Sequence, residues 1–195
     1  SKSGMQLSLS FFGKHNLSNM SAAFAVCREM GVDEEEGYRA IASFKGASRR
    51  LECLASNSSA VLYRDFAHAP SKVKASTEAL RQNFPNHQLI VCFELHTFSS
   101  LSADFIHHYK GSVDAADRVI VFYDPHAVAL KKLKLMEAEQ IKAAFGRDDL
   151  MVLSDPEAMI RWIKENITFP TVVALMSSGS FRGLNIEALK EVMKL

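Results

Sequence analysis

"HQLIVCFEL", residues 87–95, decides the architecture. Leu89, Ile90, Val91, Cys92 and Phe93 follow one another without a polar residue between them, as in a strand buried on both faces of a parallel sheet. "DRVIVFYD" (117–124) and "TVVALMSS" (171–178) repeat that pattern. Outward from these runs, "RRLECLA" (49–55) and "SAVLYRDF" (59–66) read as two strands around "SNSS", and "DLMVLSD" (149–155) as a further short one. Helical patterns fill the intervals: "SKVKASTEALRQNF" (71–84), a stretch around 101–115, helices near 126–145, "PEAMIRWIKEN" (156–166) and a final helix from about 185. Strand and helix in alternation predict an α/β fold with a mostly parallel, doubly wound sheet.

The first 44 residues do not fit this alternation. "MQLSLSFFG" (5–13) predicts a strand over 6–12 stopped by Gly13. "NLSNMSAAFAVCREMG" (16–31) then reads as a helix, with Asn16 placed to cap it, and "VDEEEGYRAIASF" (32–44) as a second with Asp33 as N-cap. A strand with no neighbour in its own segment is marginal, so the segment reads as the tail of something larger. The boundary falls near "FKGAS" (44–48), where Gly46 and Ser48 interrupt the periodicity.

Composition excludes some functions. The 195 residues include 23 basic and 22 acidic side chains, a formal charge of +1, which gives no overall attraction to nucleic acid or anionic membrane. No apolar stretch has the length of a membrane span, and the start lacks a signal-peptide core, so a cytoplasmic protein is expected. Cys27, Cys53 and Cys92 have no ligand spacing and sit in apolar segments, so they are expected to be reduced, buried and inert. No strand leads into GxGxxG, which disfavours a dinucleotide oxidoreductase, and "GKHNLSNMSAA" (13–23) is no phosphate loop.

In an open parallel sheet, ligands bind beyond the carboxyl ends of the strands. The segments there are "RDFAHAP" (64–70), "ELHTFSS" (94–100), "YDPHAV" (123–128) and "SSGSFRG" (177–183). The first three carry histidine, and the backbone amides of the last could hold an anion. Asp65 could serve as general base, metal ligand or acceptor for a ribose hydroxyl, and equally as a turn acid before the helix that Pro70 starts. His68 could donate to a carboxylate or phosphate, or be a solvated loop residue. His96 is similar, with Glu94 as a potential partner. His126 reads as a helix-start residue, and His107 and His108 as mid-helix. Arg49 and Arg50 are ordinary surface charges unless Arg50 reaches a phosphate.

"FGKHNLSNMSAAFAVCREMGV" (12–32), "FKGASRRLE" (44–52) and "YRDFAHAPSKV" (63–73), in this order and at these distances, resemble the Mur ligases, ATP-dependent amide-forming enzymes of peptidoglycan synthesis and recycling. The resemblance covers essentially the whole chain. It implies that residues 1–44 are the end of the central ATP-binding domain and 45–195 the Rossmann-like C-terminal domain, the UDP-sugar domain and most of the central domain being missing from this stretch. It further implies a nucleotide side formed by His15 and Asn16 near the base, Arg50 near the phosphates and Asp65 at the ribose. On the incoming-substrate side it implies His68, His96, Ser177, Ser178 and Phe181. ATP and Mg2+ would be the cofactors, with the phosphate-loop lysine and the metal ligands outside this sequence, so that the stretch alone would be inactive. No catalytic residue and no metal ligand is assigned within it.

Within the family, "DFAHAP" and "MSSGSFRGL" (176–184) look closer to the ligase that joins the recycled tripeptide L-alanyl-γ-D-glutamyl-meso-diaminopimelate to UDP-N-acetylmuramate than to the L-alanine-adding enzyme. Ala69 replaces a second histidine typical of the latter, and Thr97 and Ser100 stand where arginines often lie. The implied partners are UDP-N-acetylmuramate and a murein peptide or L-alanine, together with the missing domains; the alternative is a non-catalytic Rossmann-like binding module.

Overall fold

The computed structural model describes residues 8–195. Its sheet has six strands: β1 (Glu52–Ser56), β2 (Ala60–Asp65), β3 (Gln88–Leu95), β4 (Arg118–Tyr123), β5 (Met151–Leu153) and β6 (Thr171–Met176), in the order β1-β2-β6-β3-β4-β5. Only β1 runs antiparallel; β2, β6, β3, β4 and β5 pair in parallel. The helices are α1 (Lys14–Glu29), α2 (Glu34–Ser43), α3 (Pro70–Asn83), α4 (Pro125–Leu130), α5 (Ala138–Phe145), α6 (Pro156–Asn166) and α7 (Ile186–Met193), with a 3-10 turn at Ile106–Tyr109.

The uninterrupted apolar runs divide by parity, because successive side chains of a strand point to opposite faces. Val61, Tyr63, Leu89, Val91, Phe93, Val119, Val121, Val172, Ala174 and Met176 pack with Val73 and Leu80 of α3 and Ile141 and Phe145 of α5 in one core. Leu62, Ile90, Cys92, Ile120, Phe122, Val173 and Leu175 pack with Met159 and Ile163 of α6 and Leu189 and Met193 of α7 in the other. Each face is covered, which is why the runs need no polar alternation. Pro70, Pro125 and Pro156 each open a helix, where the missing N–H costs nothing.

The segment before β1 behaves differently. Neither α1 nor α2 has a buried residue. The two meet through Phe24 and Tyr38, whose ring centroids lie 5.1 Å apart. Phe12 anchors them to the sheet, edge-on to Tyr63 and Phe84. Gly13, at φ +92°, comes so close to α3 that an added Cβ would lie 2.9 Å from the Cβ of Ala79.

Several expectations are corrected. Residues 8–12 form no strand, and residues 6 and 7 lie outside the described residues; with no strand among the described residues paired to them, Phe11 and Phe12 act as aromatic anchors instead. The stretch 101–115 is turns around the 3-10 segment rather than a long helix, and His107 and His108 lie in that turn. Asn16 is inside α1 and donates back to the Phe12 carbonyl at 2.8 Å, while the N-cap position belongs to Gly13. Of the cysteines only Cys92 is buried; Cys27 is half-buried and Cys53 exposed, and none is disulfide-bonded. No described helix is long and apolar enough to cross a membrane.

Candidate functional site

Strand parity sends the two most polar strand ends to opposite faces. Asp65 continues the Val61–Tyr63 series toward α3, whereas Glu94 continues the Ile90–Cys92 series toward α7.

On the α3 side, Asp65 is only 7% exposed. Its carboxylate accepts from the Ser76 hydroxyl. The turn before β1 holds Arg49 at φ 58° and Leu51 at φ 45°, and is tied down by the Arg49 N–H, which donates to the Glu52 carboxylate at 2.8 Å, and by the Arg49 carbonyl, which accepts from the Phe66 N–H at 2.6 Å. Left-handed backbone at such residues costs roughly 1–2 kcal/mol each, which hydrogen bonds to a charged group, about 1.5–3 kcal/mol, can offset. Burial, only partly countered by the Ser76 hydroxyl, the nearby Leu51 and Ala67 amides and His15, raises the Asp65 pKa above its ordinary value. Asp65 is therefore no helix cap: the N-cap of α3 is Ala69, without a side-chain bond.

Around Asp65 lies an open cleft of about 230 Å3 lined by His15, Asn16, Asn19, Arg50, His68, Lys72 and Ser76, among others. All four residues expected on the nucleotide side thus share one cleft. Burial lowers the His15 pKa, against the opposing pull of Asp65, so the ring is uncharged at neutral pH. Arg50 and Lys72 make no ion pair among the described residues. His68 also faces this cleft rather than joining His96; its Nδ1 lies 2.9 Å from the Phe66 carbonyl, and Tyr109 donates to its own carbonyl. The sequence reading missed Asn19, Lys72 and Ser76. Helical spacing was the available signal, since Asn19 is one turn beyond His15 and Asn16, and Lys72 and Ser76 are four residues apart on α3.

On the α7 side, Glu94 is 4% exposed. It accepts from the Ser177 hydroxyl and from the Phe181 N–H at 2.9 Å, and its other oxygen lies 3.6 Å from His96 Nδ1. The Gly179 N–H donates to Ser177 Oγ at 2.6 Å. Phe181, buried edge-on against Phe122, and Arg182 are both left-handed, at φ 49° and 55°. The Ser178 hydroxyl is buried without a partner. Beside this loop a second cleft of about 230 Å3 is lined by Arg49, Arg64, Ser177, Gly179 and Ser180, among others. Arg64 is tied across the antiparallel pair to Glu52 at 2.9 Å. His126 stays apart from both clefts as a helix-start residue, its N–H bonded to Asp124.

One backbone bond joins the two sides, from the Ser177 N–H to the Asp65 carbonyl at 2.9 Å. The strand ends thus hold, within one continuous rim, unpaired cations and a buried acid on one face and a carboxylate-braced Ser/Gly loop on the other. Residues 49–179 match the family model described as "Mur ligase, glutamate ligase domain". The chain belongs to the Mur ligase family.

Among relatives of this Mur ligase chain, a UDP-N-acetylmuramate–L-alanine ligase of Caldanaerobacter subterraneus subsp. tengcongensis is 30% identical over 188 residues, 95% of this chain and 40% of that protein. The fold is that of a UDP-N-acetylmuramate–alanine ligase from Thermotoga maritima, with a TM-score of 0.72 at 18% identity over 97% of this chain and 39% of the other. It is also that of a murein peptide ligase from Psychrobacter arcticus 273-4, with a TM-score of 0.67 at 21% identity over the same shares, 97% and 39%. This Mur ligase chain therefore spans about 40% of the length of these proteins.

The first cleft suits a nucleoside phosphate in kind: the unpaired Arg50 and Lys72 for phosphate oxygens, the Asp65 carboxylate for sugar hydroxyls, the neutral His15 ring for a base. Its volume of about 230 Å3 lies below the ~300–1,000 Å3 of a complete small-molecule pocket. No group of three or more His, Cys, Asp or Glu among the described residues is placed to hold a metal ion.

Proposed function

We propose that this chain is the C-terminal part of an ATP-dependent cytoplasmic ligase of peptidoglycan recycling that joins UDP-N-acetylmuramate to a murein tripeptide. Residues 1–44 are taken as the end of its central domain and 45–195 as its C-terminal domain. The observation that supports this best is the convergence of His15, Asn16, Arg50 and Asp65, from three separate segments, on one cleft.

In this reading ATP supplies the phosphoryl group that activates the acceptor carboxyl. The residues of this chain bind and orient. Asp65 accepts from the ribose hydroxyls, Arg50 and Lys72 neutralise phosphate charge, and His15 and Asn16 border the base. His68 stands at the cleft mouth, and the Ser177–Phe181 loop with His96 receives the incoming amine. Mg2+ is assigned no residue here.

The tripeptide is favoured over L-alanine by two features. The "TFSS" turn is closed on itself, Thr97 Oγ1 donating to Ser100 Oγ at 3.0 Å, and carries no cation to clamp a small amino acid. The second cleft is lined by Arg49, which makes no ion pair among the described residues and offers positive charge for a carboxylate of a peptide. The L-alanine reading is favoured by the name of the Caldanaerobacter relative.

The test is made in the longer protein that contains this chain. Arg50→Ala and Asp65→Ala should each raise the KM for ATP at least ~10-fold, a loss of about 1.4 kcal/mol, with the tripeptide KM unchanged. Unchanged turnover in both variants would support a non-catalytic binding module instead.

A further inference from the structure

Glu94 is the most deeply buried carboxylate at the strand ends, and the ligation scheme above gives it no task. Its partners are specific. One oxygen takes both the Ser177 hydroxyl and the Phe181 N–H, the two ends of the loop after β6. The other faces His96 Nδ1 at 3.6 Å, too long for a hydrogen bond yet close enough to favour a proton on that nitrogen. The loop is also pressed inward: a Cβ on Gly179 would lie 2.8 Å from Glu94 Oε2 and 2.8 Å from His96 Nδ1. A buried carboxylate with donors on one side and an imidazole on the other can fix both at once.

We infer that Glu94 is a positioning residue for the incoming amine: it clamps the Ser177–Phe181 loop and holds His96 in the tautomer whose Nε2 is free to accept a proton. The inference rests on the proposed ligase reading and deepens it. In the amide-forming step the amine nitrogen bonds to the acyl-phosphate carbon and the carbon–oxygen bond to phosphate breaks. Phosphate leaves with that electron pair, and a proton on the nitrogen passes to Nε2 of His96. Because Glu94 is buried and already accepts from Ser177 and Phe181, it acts through the loop and His96 and does not touch substrate.

Two substitutions separate its tasks. Glu94→Gln keeps an amide oxygen for Ser177 and Phe181 but presents an uncharged NH2 group to His96. Glu94→Ala removes both contacts. In the longer protein, assayed by ADP release with UDP-N-acetylmuramate, ATP and tripeptide, Glu94→Gln should lower kcat about 10-fold with the tripeptide KM within about 2-fold. Glu94→Ala should also raise the tripeptide KM at least ~10-fold, with the KM values for ATP and UDP-N-acetylmuramate unchanged. Hydrogen exchange at the Phe181 amide should accelerate at least ~10-fold in Glu94→Ala and stay near wild type in Glu94→Gln. A kcat in Glu94→Gln equal to wild type, or a Glu94→Ala that shifts all three KM values alike, overturns the inference while leaving the ligase reading in place. A wild-type protein that releases no ADP defeats the ligase reading. In that case the Phe181 exchange still decides the clamp: protection lost in Glu94→Ala supports it, and protection kept overturns it.

Discussion

The two clefts at the strand ends lie one backbone hydrogen bond apart, yet they are built differently. The Asp65 cleft borrows part of its wall, since His15, Asn16 and Asn19 come from α1, a helix without a buried residue. The Glu94 cluster is drawn wholly from β3, β6 and the loops that follow them, and is locked to the core by Phe181. The contrast teaches that the first cleft depends on how α1 docks, whereas the loop of the second is preformed by the sheet; in the proposed reading these are the nucleotide side and the side of the incoming unit. A site so divided can bring its halves together by moving the first wall alone.

The contrast can be broken most severely at Gly13. Gly13→Val puts a β-branched residue at φ +92° with its Cβ 2.9 Å from Ala79, so α1 must shift. Nucleotide affinity in the longer protein should fall about 100-fold by calorimetric titration, while amide exchange at Phe181 stays unchanged. Gly179→Ala is the reciprocal change. Its backbone is not left-handed, so the cost is space alone: the half-exposed His96 can swing aside, but the buried Glu94 Oε2, 2.8 Å from the added Cβ, shifts only together with its Ser177 and Phe181 donors. Steady-state assays should show a rise of about 10-fold in the KM of the incoming unit and none for ATP.

A smaller effect concerns stability. Burial raises the pKa of Asp65, so the folded chain holds that proton more tightly than the unfolded one, and stability from this group falls as pH rises from its unfolded pKa through its folded one. Asp65→Asn should therefore raise the thermal midpoint at pH 7 and leave it nearly unchanged near pH 3, below both values. The smallest effect is expected at exposed ion pairs that line neither cleft. Lys142→Ala and Lys190→Ala remove pairs with the exposed Glu139 and Glu187 and should cost less than ~0.5 kcal/mol each in urea titrations, with neither cleft altered.

The sheet was legible because burial on both faces leaves an unmistakable mark: "LIVCF", "VIVF" and "VVALM" all became central strands. The helix starts at Pro70, Pro125 and Pro156 were legible for the equally local reason that proline is tolerated there. What failed depended on partners distant in sequence. Residues 8–12 alternate like a strand but have no neighbour to pair with, and Cys53 sits in an apolar strand that lies at the sheet edge, where one side stays open. Asp65 balanced between cap and ligand in the sequence because Ser76, Leu51 and His15, which surround it, come from three other segments. The partnership of Glu94 with His96 was readable from their i, i+2 spacing at a strand end, but its grip on Ser177 and Phe181 required knowing that β6 lies beside β3.

The most direct measurement is ADP release by the longer protein with UDP-N-acetylmuramate and ATP, run in parallel with L-alanyl-γ-D-glutamyl-meso-diaminopimelate and with L-alanine. The account predicts turnover with the tripeptide and at least ~10-fold lower kcat/KM with L-alanine. Turnover with L-alanine alone would contradict the assignment of the incoming unit, and no ADP with either would contradict the ligase reading itself.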